Sequence, residues 1–164
     1  MHAVAPPADL GPADWGTFVD AQTTSAVERQ RRKGLGDESL VRIPDLLASV
    51  DLPRTADTLR HTEFMHVHVL TTELDSRWDP TGLFDCEPAM RGHTEYDLVA
   101  AGIFFGRDDK ALWSQLLAGY GVEPSKELSR RLMAYALLHV YANLPWYFRE
   151  IPSDATTFDE LADD

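Results

Sequence analysis

The sequence predicts an α+β fold that is mostly helical. Apolar residues recur at helical intervals over residues 14–33 and again beyond residue 94, while between them the period changes to short segments rich in Val, Leu, Thr and Phe. The 164 residues, 44% hydrophobic and 26% charged, are enough for one sizeable core and have the composition of an ordinary globular protein.

The elements follow in order. Residues 1–12 hold three of the ten prolines and read as an irregular leader, with a single domain expected over 13–164. From Asp14 to Lys33, Trp15, Phe18, Val19, Ala26 and Val27 mark a helix that Gly34 and Gly36 stop. A second helix is expected from Pro44 to Asp51, with proline in its first turn. "LRHTEF", "VHVLTTEL" and "TGLFDCE" read as two or three short strands between residues 59 and 87, with "DSRWDP" as a hairpin loop. Helical periodicity returns in "EYDLVAAGIFFG" and "DKALWSQLLAGYG", each closed by glycine, and in a long apolar helix from Ser125 to Asn143. "LPWYFREIP" adds a helical turn, and "TFDE", Thr157 to Glu160, has the spacing of a capping box that starts a last helix.

Composition excludes several function classes. A net charge of −12 argues against nucleic acid as a partner, because a phosphate backbone needs a basic surface to displace its counterions. The basic run "RQRRKG" at 29–34 closes a helix, where positive charge complements the dipole. No apolar run approaches the roughly 18 residues of a membrane span, and "MHAVAPPADLGPADW" lacks the pattern of a signal peptide, so no membrane partner and a cytoplasmic address are expected. Cys86, the single cysteine, excludes an intrachain disulfide and is expected to be reduced and buried.

The polar chemistry concentrates in the β region. His61 and Glu63 are two apart, as are His66 and His68, so on extended segments each pair shares a face. Two histidines and a carboxylate suit the facial triad of non-haem iron or a catalytic zinc. Against that stands a strand in which one of His66 and His68 faces the core, hydrogen-bonded, and the other faces solvent. Further on, Asp85 and Glu87 present two carboxylates after an apolar run, suited either to a hard cation such as Mg²⁺ or to capping backbone amides.

Taken in order, "HTEFMHVHVLT" and "GLFDCEPAMRGHTEYDLVAAG" resemble the catalytic core of the aminoglycoside phosphotransferase family, a branch of the kinase-like fold. The resemblance is strong over about residues 57–105. It implies a protein-kinase-like C-lobe with a small β-hairpin carrying the catalytic loop, the N-lobe being absent. His61 falls on the loop histidine, Glu63 where the catalytic Asp is expected, and His68 on the cofactor-side Asn. Asp85 falls on the metal-binding Asp, with Glu87 as a possible second ligand, and Asp97 on the Asp that ties the next helix to the loop. ATP and Mg²⁺ are the implied cofactors, a cationic or sugar-like small molecule is the implied acceptor, and antibiotic resistance is an implied role. Trp146 and Tyr147 stand either in the acceptor pocket or simply in the core.

Three departures qualify these expectations. Glutamate for aspartate moves a carboxylate out by one methylene, and histidine for asparagine replaces oxygen with imidazole, which Mg²⁺ disfavours. No Gly-rich loop precedes His61, and Lys33, Lys110 and Lys126 all lie outside β-like runs, so weak ATP binding is expected. A non-catalytic kinase-like binding module and a His/carboxylate metal-dependent enzyme are the alternatives.

Overall fold

The computed structural model describes residues 3–107, 109–151, 153–155 and 157–163; the first two residues of the leader lie outside them. Over the described residues the fold is α+β and about half helical, with two small antiparallel sheets. Among the described residues no helix is long and apolar enough to cross a membrane.

Helix α1, Trp15–Arg32, starts where the Asp14 carboxylate accepts from the Thr17 amide at 2.6 Å, satisfying one of the orphan donors of a helix start. Its inner face buries Trp15, Val19 and Ala26 against Leu40 of the short helix α2, Asp37–Leu40, and Ile43 and Leu46 of α3, Ile43–Ser49. The sequence points to α3 but not to α2, whose four residues are too few to show a period. The basic end of α1 does more than complement a dipole. Arg29 donates to the Leu137 and His139 carbonyls at 3.1 and 3.0 Å, closing the end of a helix far along the chain.

Strand β1 is only Thr58–Arg60 and pairs antiparallel with β4, Met90–Gly92. The segment between them leaves this clasp and returns to it, carrying a one-turn 3₁₀ helix at His66–His68 and the hairpin of β2, Val69–Leu74, and β3, Arg77–Leu83. Two strand expectations are thereby corrected. "HTEF" is a turn, because Thr62 takes φ 74°, and His66 and His68 lie in the 3₁₀ turn rather than on a strand. The hairpin loop contracts to Asp75 and Ser76, both at positive φ as a two-residue turn demands, so Arg77, Trp78 and Pro80 belong to β3. Pro80 is tolerated because the register shifts at Leu70/Thr71.

Helix α4, Thr94–Ala101, runs on into a π-helical turn, Gly102–Gly106. Helix α5, Lys110–Tyr120, ends at Gly121 with φ 71°, a left-handed cap that glycine adopts without a Cβ penalty. Helix α6, Lys126–Leu138, begins with Ser125 accepting from Leu128 and ends five residues before the expected Asn143. It stops because His139 turns to φ −56°, ψ 141°, and Asn143 instead caps α7, Leu144–Glu150, by accepting from Trp146. Before α8, Phe158–Asp163, Thr157 and Glu160 exchange the reciprocal bonds of a capping box, at 3.1 and 3.2 Å.

The core joins Trp15 of α1, Tyr96 of α4 and Tyr135, Leu137 and Leu138 of α6, with Trp15 and Tyr96 edge to face at 5.4 Å. Gly92 is pinned beneath it. A Cβ there would come within 2.9 Å of the Trp15 ring and 3.1 Å of Arg60 Cγ, and Trp15 cannot yield easily because its Nε1 donates to the Pro53 carbonyl at 3.0 Å. Gly92→Ala is therefore expected to destabilise the protein by about 1–3 kcal/mol, read as a lower midpoint in urea with unchanged slope.

Candidate functional site

The site begins where β1 ends. Asp97, 2% exposed near the start of α4, accepts from the His61 amide through Oδ2 at 3.0 Å and from the Thr62 amide through Oδ1 at 2.7 Å. These two bonds turn the chain sharply after Arg60. A left-handed conformation at β-branched Thr62 costs on the order of 1–3 kcal/mol, and such strain persists only where the surroundings over-determine it. Here the Thr62 carbonyl is held as well, accepting from His139 Nε2 at 3.0 Å. The buried Arg60 guanidinium lies 3.9 Å from Asp97; burial lowers its pKa, and Asp97 pulls the other way.

His61 is also buried and donates from Nε2 to the Phe84 carbonyl at 2.9 Å, linking the loop to the far side of the hairpin. His68 closes the same ring. Its Nδ1 donates to the Glu63 carbonyl at 2.8 Å, its own carbonyl accepts from the Phe84 amide at 3.1 Å, and its Nε2 lies 3.2 Å from Asp85 Oδ2. Of the two histidines in the 3₁₀ turn, His68 is the buried, bonded one and His66 is exposed, its Nδ1 donating to the Phe104 carbonyl in the π-helical turn at 3.2 Å.

Asp85 takes φ 60°, so the chain is not extended there and the shared face expected for Asp85 and Glu87 does not form; both residues are exposed. Cys86 between them is exposed too, not buried, because β3 ends at Leu83 and the following loop runs over the surface. The iron or zinc triad is likewise corrected. Thr62 breaks the extended path from His61 to Glu63, the His61 Nε2 is spent on a carbonyl, and no group of three metal-ligating side chains occurs among the described residues.

Glu63 emerges half-buried on the wall of a cavity of about 250 Å³, together with Phe104, His139, Tyr141, Trp146 and Tyr147. Trp146 and Tyr147 pack against the core and also line this cavity. Glu87 is not among its lining residues. Tyr141 lines this cavity beside Glu63. Burial first, then the negative charges of Glu63 and Asp85, push its hydroxyl pKa up. A larger cavity of about 320 Å³, between Arg42, Phe148 and α8, is lined by no carboxylate or imidazole and offers no comparable chemistry.

The sequence reading misses His139 and Tyr141 because it carries one helix through them. Asn143 followed by Leu144 and Pro145 is an N-cap with proline in the first turn, a signal that would have ended α6 earlier. His139 is neutral and locked. It stacks on Tyr96 at 4.6 Å, Nε2 donates to Thr62, Nδ1 accepts from the Tyr141 amide at 3.3 Å, and burial pushes its pKa down from 6.5 to about 4. The unfolded chain consequently binds the extra proton between those values. Its contribution to stability is full above pH 6.5 and lost as the pH falls towards 4, with a slope of at most about 1.4 kcal/mol per pH unit. Urea midpoints measured across that window should fall with pH, and less steeply in His139→Gln.

For a bound Mg²⁺ the donor set fits in part. The Asp85 carboxylate, 42% exposed, offers oxygen to a hard cation, while the His68 imidazole beside it does not. The family model described as the phosphotransferase enzyme family matches residues 1–135, which takes in the clasp, the Glu63 loop, the hairpin and α4 but not His139, Tyr141 or α7. A comparison with curated proteins finds no match.

Proposed function

Because the chain belongs to the phosphotransferase enzyme family, we propose that it is the kinase-like C-lobe of an enzyme transferring the ATP γ-phosphate to a hydroxyl of a cationic or sugar-like acceptor, aminoglycosides included. One observation carries the reading: Glu63 faces a cavity of small-molecule size, while its backbone is tied through His68 to the Asp85 carboxylate.

In this reading the acceptor enters the cavity beside Trp146 and Tyr147, drawn by Glu63 and by the chain's net charge of −12. Glu63 takes the hydroxyl proton as the acceptor oxygen bonds to the γ-phosphorus. The bond from that phosphorus to the β-phosphate oxygen breaks, and ADP leaves. Enzymes of this family generally use Mg²⁺, which neutralises charge on the phosphates; Asp85 would hold it, with Glu87 the next carboxylate along the loop. His61 and Asp97 contribute by holding the loop rather than by touching substrate.

The test is acceptor-dependent ADP release by the full-length gene product with ATP and Mg²⁺, across a panel of aminoglycosides, amino sugars and small cationic alcohols. A phosphate ester visible by ³¹P NMR, abolished in Asp85→Ala, is the expected result. A panel with no acceptor-dependent ADP would overturn the reading. Acceptor binding without turnover would select a binding-only module, which His68 in the place of a metal-binding asparagine favours.

A further inference from the structure

The cavity beside Glu63 is small and sparingly polar. At about 250 Å³ it lies below the roughly 300–1,000 Å³ of pockets that enclose drug-sized ligands. Among the described residues Glu63 is the one carboxylate on its wall. The other polar groups there are largely committed within the chain. His139 donates from Nε2 to the Thr62 carbonyl and accepts from the Tyr141 amide on Nδ1. Asn143 Oδ1 accepts from the Trp146 amide at 3.3 Å, and the Asn143 backbone amide bonds the Tyr147 hydroxyl. A ligand with many hydroxyls or amines would bury several of them here without partners, each lowering its affinity roughly tenfold.

The wall offers aromatic surface instead. The rings of Phe104 and Trp146 lie 5.9 Å apart, those of Trp146 and Tyr147 lie 5.7 Å apart at 75°, and Tyr141 is half exposed at the same cavity. Aromatic faces attract a cation within about 6 Å of the ring centre. In the phosphotransferase reading Glu63 takes the proton of the acceptor's hydroxyl, so it cannot also be the sole counter-ion of an amine. With no second carboxylate on the wall, the rings are the remaining partners for positive charge. The kind of amine follows from its hydration. A primary ammonium has three N–H donors that would give up water and find no acceptor among rings, whereas a fully alkylated ammonium has none to lose and buries its methyl groups favourably.

We infer that the acceptor is a compact alcohol carrying one fully alkylated ammonium, held by Phe104, Trp146 and Tyr147 with its hydroxyl towards Glu63, and not a polyamine sugar. This rests on reading the cavity as the acceptor site. Glu63 and the chain's net charge of −12 draw such an ion in.

The experiment titrates the full chain by calorimetry with (3-hydroxypropyl)trimethylammonium, its primary-amine counterpart 3-aminopropan-1-ol, its neutral isostere 4,4-dimethylpentan-1-ol and the two-ring aminoglycoside neamine. The trimethylammonium probe is expected to bind about tenfold tighter than the primary amine or neamine, and at least about threefold tighter than the neutral isostere. Trp146→Leu should weaken that probe about tenfold, and Trp146→Phe, which keeps a ring, far less. Neamine or the primary amine binding as tightly as the trimethylammonium probe would overturn the inference and leave the phosphotransferase reading standing with another acceptor. Equal binding of the neutral isostere would do the same, since the rings would then show no preference for charge. The expected order of binding, with no ADP released from any acceptor, would overturn the phosphotransferase reading alone and leave the ligand class. Should Trp146→Leu not fold, the ranking of the probes on the wild-type chain decides.

Discussion

Replacing Asp97 by asparagine is expected to cost about 3–5 kcal/mol of stability, the penalty for breaking a buried charge pair on one side. The carboxylate accepts two backbone amides, one on each oxygen, and faces a wholly buried guanidinium. A carboxamide can accept only one of those amides. Its NH₂ group would meet the other donor head-on, and Arg60 would keep its charge inside the protein without a counter-ion. For a chain of this size each kcal/mol moves the melting temperature by about 2–4 °C, so a fall near 10 °C is expected by circular dichroism. A change within about 2 °C would show that the loop is held by something other than this carboxylate.

Glu63→Gln is expected to act on rate and not on stability. The amide keeps the side chain's shape on the cavity wall but cannot take a proton, and loss of a general base typically costs about 10²–10⁴ in kcat. The melting temperature should stay put, because Glu63 is only half-buried. Glu63→Asp sharpens the test. If the Thr62 turn sets the backbone for the longer side chain, shortening it should also cost about 10²-fold, through misplacement near 1 Å. Acceptor-dependent ADP release at saturating ATP measures both, and unchanged kcat in Glu63→Gln would remove Glu63 from the chemistry.

The helices were legible wherever their signals are local. Asp14, Ser125 and the Thr157–Glu160 box each cap the helix that the sequence points to, since a cap needs only residues three apart. The short strands were less so, and the backbone of the site was not. Thr62 and Asp85 adopt positive φ without being glycine, imposed by groups far along the chain: Asp97 and His139 around Thr62, and His68 beside Asp85. A reading of period and propensity places such residues on extended backbone, which is why the pairings of His61 with Glu63 and of Asp85 with Glu87 looked like shared strand faces. The end of α6 escaped for a related reason. Apolar residues continue past Leu138 and mask the Asn143–Pro145 start signal of α7, while the long-range bonds of Arg29 and His139 hold the break in place. The family was easier to read than the geometry of its loops, because the ordered motifs stand in the sequence regardless of the conformation that displays them.

Because β1 and β4 lie side by side, the excursion between Arg60 and Met90 departs and re-enters at neighbouring backbone positions. Its outer tip at Asp75 and Ser76 is solvent-facing and remote from the clasp in sequence. Evolution can therefore lengthen, trim or redecorate that tip as an appendage, grafting new recognition onto the rim without retuning the floor that Asp97 secures.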